Sequence, residues 1–389
     1  MRRAERTTVR VGARGRALAS AAALASVLVG CAADGGADAA PRASSSPAAP
    51  SPTVPPSTPA SVPTPTPDGT LLVADFGSDT VTFVDPRRGP LGSVEVGTAP
   101  YGLVVGADGR AWVATAEGVA VVDTRTRTRL ALVRYETAGG PATTGEYRGG
   151  GMGIALSPDG GRVYVGVNVP GGNGTVEVID TASREVTATV PVGRRPFDVD
   201  VARDGSEVYV TDHDSFDVTV VRADTLSPRR VEVAPYGTEG GLGSWLKPHY
   251  AVVRPSDGRL LLPFEGERLV VVDPRTGRSE IEPMTADTHQ HGATITPDGT
   301  LLVVGTGPID PAEDEGPSLT VRAPDGTERV YPLDGPHENV AVSKDGRTAY
   351  VTGGFTRDGY WDGITVVDLR TGGTTRLPAG ERPLGIAVL

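Results

Sequence analysis

Five histidines occur in this 389-residue chain, and four of them fall in three short stretches: Lys247-Pro248-His249-Tyr250, His289-Gln290-His291 and Gly335-Pro336-His337-Glu338. Two imidazoles and a carboxylate brought to one point would form a metal-ligand set with open positions, and His249, His291 and Glu338 are the candidates. Such donors suit Zn, Fe(II) or Mn. Asp198 and Tyr250 are candidates to fix an imidazole tautomer from outside the ligand set. Without a metal, the same His and Glu side chains would make a general acid–base pair working near neutral pH. The three stretches are far apart in the chain, so their chemistry depends on a scaffold that gathers them.

That scaffold is legible as a repeat. The stretch Gly151 to Gly193 reads GMGIALSPDGGRVYVGVNVPGGNGTVEVIDTASREVTATVPVG. Four runs of β-branched and aromatic residues (Gly153 to Leu156, Arg162 to Val167, Thr175 to Ile179, Glu185 to Val190) are separated by turn residues, which predicts a four-stranded antiparallel meander. An Asp-Gly pair closes the first hairpin of each unit, at Asp68, Asp108, Asp159, Asp204, Asp257, Asp298 and Asp345. Asp can bond back to the backbone and Gly takes positive φ without steric cost. Dividing residues 68–389 by seven gives roughly 46 residues per unit, the size of a propeller blade. The fold class is therefore all-β: a seven-bladed β-propeller. The first unit lacks an inner strand, and the chain finishes on ERPLGIAVL, an inner strand with nothing after it. The C-terminal strand should complete the first blade and leave no sheet edge at the seam.

Tyr209-Val210-Thr211 and Tyr350-Val351-Thr352, with Val163-Tyr164-Val165 as a looser copy and inner strands shaped like Arg195-Pro196-Phe197-Asp198-Val199, resemble the YVTN family of β-propellers. The resemblance covers residues 68–389 and departs from the pattern at Leu260-Leu261-Leu262-Pro263 and Leu301-Leu302-Val303-Val304, where the tyrosine is missing. It implies the fold strongly and the chemistry weakly.

In such a blade the inner strand starts at one face, which it shares with the loop between the second and third strands. The opposite face carries short, similar turns, such as those beginning at Asp85, Asp123, Asp180, Asp273 and Asp368. The first face is elaborated, with long connections at Tyr135 to Gly150, Val233 to Pro248, Gly305 to Ser318 and Gly353 to Gly363. Long loops on a rigid scaffold tend to carry function. Trp245, Tyr360 and Trp361 lie in two of them, as ligand contacts or as packing of the loops. Aligning the inner strands places Leu384, Tyr101, Met152, Phe197, His249, His291 and Glu338 around the channel mouth on this face. A one-residue slip would turn a side chain away. Tyr101, Phe197, Asp198, Tyr250, His289, His337, Trp245 and Trp361 are the candidate ligand-binding residues. The inner-strand stretches around His249 and His337 look somewhat like those of propeller lactonases, and the His-rich half of the mouth is loosely similar to streptogramin lyases, with no catalytic assignment transferred.

Residues 1–30 read as an export signal: six arginines precede the apolar run Ala17 to Val29. The run ends Leu28-Val29-Gly30-Cys31, which resembles the lipobox of bacterial lipoproteins and implies lipidation of Cys31. Residues 31–67 then form an Ala/Ser/Thr/Pro-rich tether with ten prolines from Pro41 to Pro67, expected to stay extended. No other cysteine occurs, so an intramolecular disulfide is excluded. Removing the signal leaves 31 basic and 47 acidic residues, a net charge of −16, and the chain holds only two lysines, Lys247 and Lys344. Such a surface excludes a nucleic-acid partner. The excess of arginine over lysine resembles high-GC genomes such as actinobacterial ones.

The expectation is a propeller anchored by lipid to the extracytoplasmic side of the cell membrane, binding a small molecule, a peptide or an envelope polymer at the channel mouth. The alternative is a metal-dependent or His/Glu acid–base enzyme of lyase, lactonase or oxygenase type, with its site on the propeller axis. The two differ in convergence, because an enzyme needs His249, His291 and Glu338 within reach of one atom.

Overall fold

The computed structural model describes residues 66 and 68–389, apart from 146, 234–246, 265–267, 287, 308–315 and 355–358. The signal, Cys31, the tether up to residue 65, Trp245 and the acidic run at 310–315 lie outside the described residues. Those described form twenty-eight strands in seven four-stranded antiparallel sheets, with no helix among them. Each sheet is one blade of a seven-bladed β-propeller.

The turn chemistry acts as its residue types require. The glycine of each of the seven first-hairpin Asp-Gly pairs has a positive φ, between 70° at Gly346 and 91° at Gly299. In blades 2 to 7 the aspartate accepts a hydrogen bond from the backbone N–H two residues on, as Asp159 does from Gly161 at 2.9 Å. Blade 3 runs Gly150–Leu156, Arg162–Asn168, Thr175–Asp180 and Glu185–Pro191. Ring closure follows the expected phase. The C-terminal strand Pro383–Val388 pairs with Leu71–Asp75, and the first blade has the order C-terminal strand, then the three N-terminal ones.

The middle strands of each blade are buried on both faces, since a blade is packed between two others. Leu71–Asp75 is buried throughout, whereas the outermost strand Thr128–Arg134 is mostly exposed. Side chains interdigitate between blades. Tyr164, Val176 and Val178 of blade 3 meet Val199, Val208 and Val210 of blade 4. Each buried aliphatic side chain contributes about 1.5–3 kcal/mol, which lets the ring hold without covalent cross-links.

At the upper end of the inner strands the ladder breaks in the same way from blade to blade. Ile154 pairs with Val165 and Gly151 with Val167, so three steps on the inner strand oppose two on its partner. The same shift occurs in blades 1 and 6, and a like one in blade 4. In blades 2 and 7 one residue takes both bonds: Ala114 pairs with Tyr101 N–H and Gly102 C=O, and Thr352 with Glu338 N–H and Asn339 C=O. An extra residue in a strand bends it and re-aims the side chain there. Leu384, Tyr101, Met152, Phe197, His291 and Glu338 occupy these bulges.

The residue after the bulge is glycine in blades 1, 2, 3 and 6 because adjacent inner strands nearly touch. Gly102 N–H donates to Met152 C=O at 3.2 Å, Gly292 N–H to Glu338 C=O at 2.9 Å and Gly385 N–H to Tyr101 C=O at 3.0 Å. The main chain of one bulge therefore fixes the next.

Asp75, at the end of the second strand of blade 1, is fully buried and accepts hydrogen bonds from Thr82 Oγ1 at 2.6 Å, Thr80 Oγ1 at 3.1 Å and Gly380 N–H at 3.0 Å. Burial outweighs these donors and pushes its carboxyl up to about 7. Because the folded value lies above the unfolded one, its contribution is full below about pH 4 and is lost as pH rises through 7. The urea midpoint is expected to be higher at pH 5.5 than at pH 8, and Asp75→Asn to flatten that difference. An unchanged slope in the variant would assign the pH dependence to other groups.

Candidate functional site

The elaborated face brings four histidines together. His249 lies just ahead of the inner strand Val252–Val253 of blade 5. His289 and His291 flank Gln290 at the start of the inner strand Gln290–Ile295 of blade 6. Being two apart in extended chain, they project on the same side. His213 follows the second strand Glu207–Asp212 of blade 4, and its N–H donates to Arg195 C=O at 3.0 Å. Ring centroids are 4.1 Å apart for His249 and His291, 5.0 Å for His249 and His289, 4.9 Å for His289 and His291, and 4.6 Å for His213 and His249. All four rings are buried.

One ring nitrogen from each of His249, His289 and His291 lies within 4.8 Å of the other two, so these three could bind a metal. Glu338 stands one step behind them. Its Oε1 accepts from His291 Nδ1 at 2.9 Å and from Tyr250 Oη at 3.3 Å, and the carboxyl is fully buried. A carboxylate only accepts, so the His291 proton sits on Nδ1 and the Nε2 lone pair is left for a ligand. The candidate carboxylate thus orients an imidazole instead of joining the closest three donors, and His289 takes the place expected for it.

Electrostatics keeps His249 and His213 neutral. Burial drives His249 far below the usual imidazole value, helped by the nearby His291, His213 and His289 rings. Burial and then the Arg195 charge lower His213 to about 3. Neutral imidazoles are the metal-binding form.

An aromatic floor supports the rings. Phe197 stacks on His213 at 5.5 Å and meets His249 at 5.2 Å and His291 at 6.1 Å edge-on. Phe76, Tyr101, Met152, Phe197, Tyr250 and Leu384 close the channel beneath the histidines as one buried cluster. Below them the channel opens into a cavity of about 530 Å³ lined by Asp198, Asp200 and Asn339, among others.

Blade 5 keeps the register of the sequence alignment. Val252 pairs with Leu261 as Asp200 pairs with Tyr209 in blade 4, and Arg254 N–H closes the hairpin on Arg259 C=O as Ala202 N–H does on Glu207 C=O, so His249 is the counterpart of Phe197. Tyr250, one residue on at the position of Asp198, turns its ring into the axial cluster. Only two residues of that inner strand keep regular pairing.

The remaining candidates divide. Tyr250 reaches the cluster through Glu338. Among the described residues Asp198 bonds no imidazole: its oxygens accept from Val199 N–H and Ala251 N–H, each at 3.0 Å, and burial raises its carboxyl to about 6. It ties blade 4 to blade 5. His337 points into blade 7, with Nδ1 2.6 Å from Gly335 C=O and Nε2 2.7 Å from Thr365 Oγ1. Trp361 packs against His337 at 5.9 Å and under Arg376 at 4.6 Å, so it secures its own loop. Tyr101 and Phe197 are floor residues.

Inner-strand starts alone could not reveal His213. A signal was present, because Asp212 ends a Tyr-Val-Thr strand at the same face, and Phe76 follows Asp75 in the same place in blade 1.

The fold and site define a seven-bladed propeller with a buried imidazole cluster at one channel mouth. No protein-family model matches the chain and no curated protein matches it. Solved structures match in fold. A hydrazine synthase chain from Kuenenia stuttgartiensis is similar at 17% identity with a TM-score of 0.57, covering 83% of this chain and 98% of that one. A functionally unknown protein from Desulfotomaculum acetoxidans is similar at 11% identity with a TM-score of 0.61, covering 82% and 98%. The dihydro-heme d1 dehydrogenase NirN matches at 18% identity and 0.54, covering 86% and 77%. Likeness at this level carries the propeller fold and no activity.

Proposed function

We propose that this chain is a lipid-anchored, extracytoplasmic propeller of the YVTN type that holds a divalent transition metal among buried imidazoles at its channel mouth and binds its ligand there. The observation that carries this reading is the convergence of His249, His289 and His291 within 4.8 Å. Burying polar rings costs free energy unless each finds a partner, and His249 Nδ1 has no hydrogen-bond partner among the described residues. A scaffold propeller has no use for such a group, whereas a metal would offset that cost. Imidazole-rich donors with the carboxylate in an outer position favour Zn or Fe over Mn.

The anchor rests on the lipobox-like Leu28-Val29-Gly30-Cys31 and on the proline-rich tether that follows. Among the described residues no helix is long and apolar enough to cross a membrane. A small molecule, a peptide or an envelope polymer fits the elaborated face. The reading as an enzyme of lyase, lactonase or oxygenase type requires a metal position open to substrate.

Elemental analysis of the full chain, purified in detergent from cells grown without added metal, is expected to find about one equivalent of a transition metal. A chain that contains none, and takes up none on titration with Zn, Fe(II) or Mn, would leave a polar-mouthed binding propeller.

A further inference from the structure

His213 stands at the edge of the imidazole cluster on a firmly held segment. Its N–H and that of Asp214 donate to Arg195 C=O and Arg194 C=O at 3.0 and 3.1 Å, and its ring stacks on Phe197. From there a hydrogen-bonded chain runs inward. His213 Nδ1 meets Asp214 Oδ1 at 2.7 Å, and Lys247 Nζ braces the same oxygen at 3.2 Å. A carboxylate only accepts, so the proton of the neutral His213 ring sits on Nδ1 and its Nε2 is an acceptor. That Nε2 lies 3.2 Å from Nε2 of His249, a hydrogen bond for which His249 must supply the proton. The His249 proton is therefore on Nε2 and its lone pair on Nδ1. This Nδ1 is buried and has no hydrogen-bond partner among the described residues.

His291 is wired the other way. Glu338 bonds its Nδ1 directly, which leaves Nε2 as the nitrogen for a ligand. In His249 a second imidazole stands between the ring and the carboxylate and reverses the choice. We propose that Asp214 and His213 are positioning residues for the metal site inferred above, setting the proton of His249 on Nε2 and presenting its Nδ1 to the ion. The proposal rests on that reading and adds which atom of His249 binds and which residues select it. His213 itself stays outside the ligand set, because both of its nitrogens are engaged in hydrogen bonds. Three imidazoles then leave one position of a tetrahedral ion for a water or a ligand.

The chain has only five histidines, so proton–nitrogen correlation NMR on the full chain, isotope-labelled at histidine and kept in detergent, reads each tautomer before and after zinc. Without metal, His249 is expected in the Nε2–H form and His213 and His291 in the Nδ1–H form. Zinc should then shift Nδ1 of His249 and leave His213 bonded as before. His213→Phe copies Phe76, which follows Asp75 at the equivalent place in blade 1, so it keeps an aromatic ring there and removes the acceptor. His249 should then divide between its two tautomers, and zinc should bind ten- to a hundred-fold more weakly. His213→Gln, whose carbonyl oxygen can accept the same proton, should restore most of both. A His249 tautomer unchanged in the phenylalanine variant would mean that His213 only packs, and would overturn the proposal. His249 in the Nδ1–H form in the wild type, or zinc bound through its Nε2, would overturn the positioning role and leave the three-histidine site standing. Zinc that shifts no histidine resonance of the wild type would overturn the metal reading itself, and this proposal with it.

Discussion

His291→Ala is expected to cost the chain its metal, with affinity falling by more than a hundred-fold, while the fold survives. The residue sits at the centre of the proposed site. It is 4.1 Å from His249 and 4.9 Å from His289 between ring centroids, and its Nδ1 is fixed by Glu338. Removing it deletes one donor from the closest three and also leaves Glu338 buried without that partner. Glu338→Gln is the graded counterpart. An amide can present its NH2 to His291 and so favour the wrong tautomer, and loss of an orienting carboxylate lowers metal affinity about ten- to a hundred-fold. Isothermal titration with zinc should rank wild type above Glu338→Gln and Glu338→Gln above His291→Ala. Equal affinities across the three would remove both residues from the site.

The second large effect is on the fold. A Cβ at Gly153 would lie 2.4 Å from Asp198 Cα and 2.6 Å from Val199 N, all backbone of the neighbouring inner strand. Nothing there can rotate aside, so Gly153→Ala must push blades 3 and 4 apart at the axis, directly beneath the bulge that aims Phe197. A loss of at least about 3 kcal/mol is expected, the upper end of overpacking, and the variant should accumulate as aggregate. Gly145, in the loop leading to the same blade, meets no atom within 4 Å of an added Cβ. Gly145→Ala should melt within about 0.5 kcal/mol of wild type. A Gly153→Ala protein with a wild-type urea midpoint would disprove the close approach of the inner strands.

How far these sites could be read in advance depends on the range of the interaction. Blade number, hairpin positions and the closing strand follow from local chemistry: Asp-Gly at a fixed period, alternation in runs such as Arg162–Asn168, and an orphan inner strand at the C-terminus. Those signals lie within a few residues of one another, so the amino-acid order alone carries them. The gathering of histidines at one face was likewise visible, because an inner-strand start lies at the same height in every blade.

Which histidines face one another was decided only by tertiary structure. A bulge shifts side-chain direction by one residue, and in blade 5, where only two inner-strand residues pair regularly, the Tyr250 ring joins the axial aromatic cluster while His249 packs against the other histidines. Glu338 is set behind His291 because Gly292 N–H holds its carbonyl at 2.9 Å, a contact between strands some forty-five residues apart, the span of one blade. His213 comes from a different strand of a different blade, and only ring closure sets it 3.2 Å from His249. Local sequence encodes where each strand starts and turns. The distance between side chains on separate blades is set by how the blades pack around the axis.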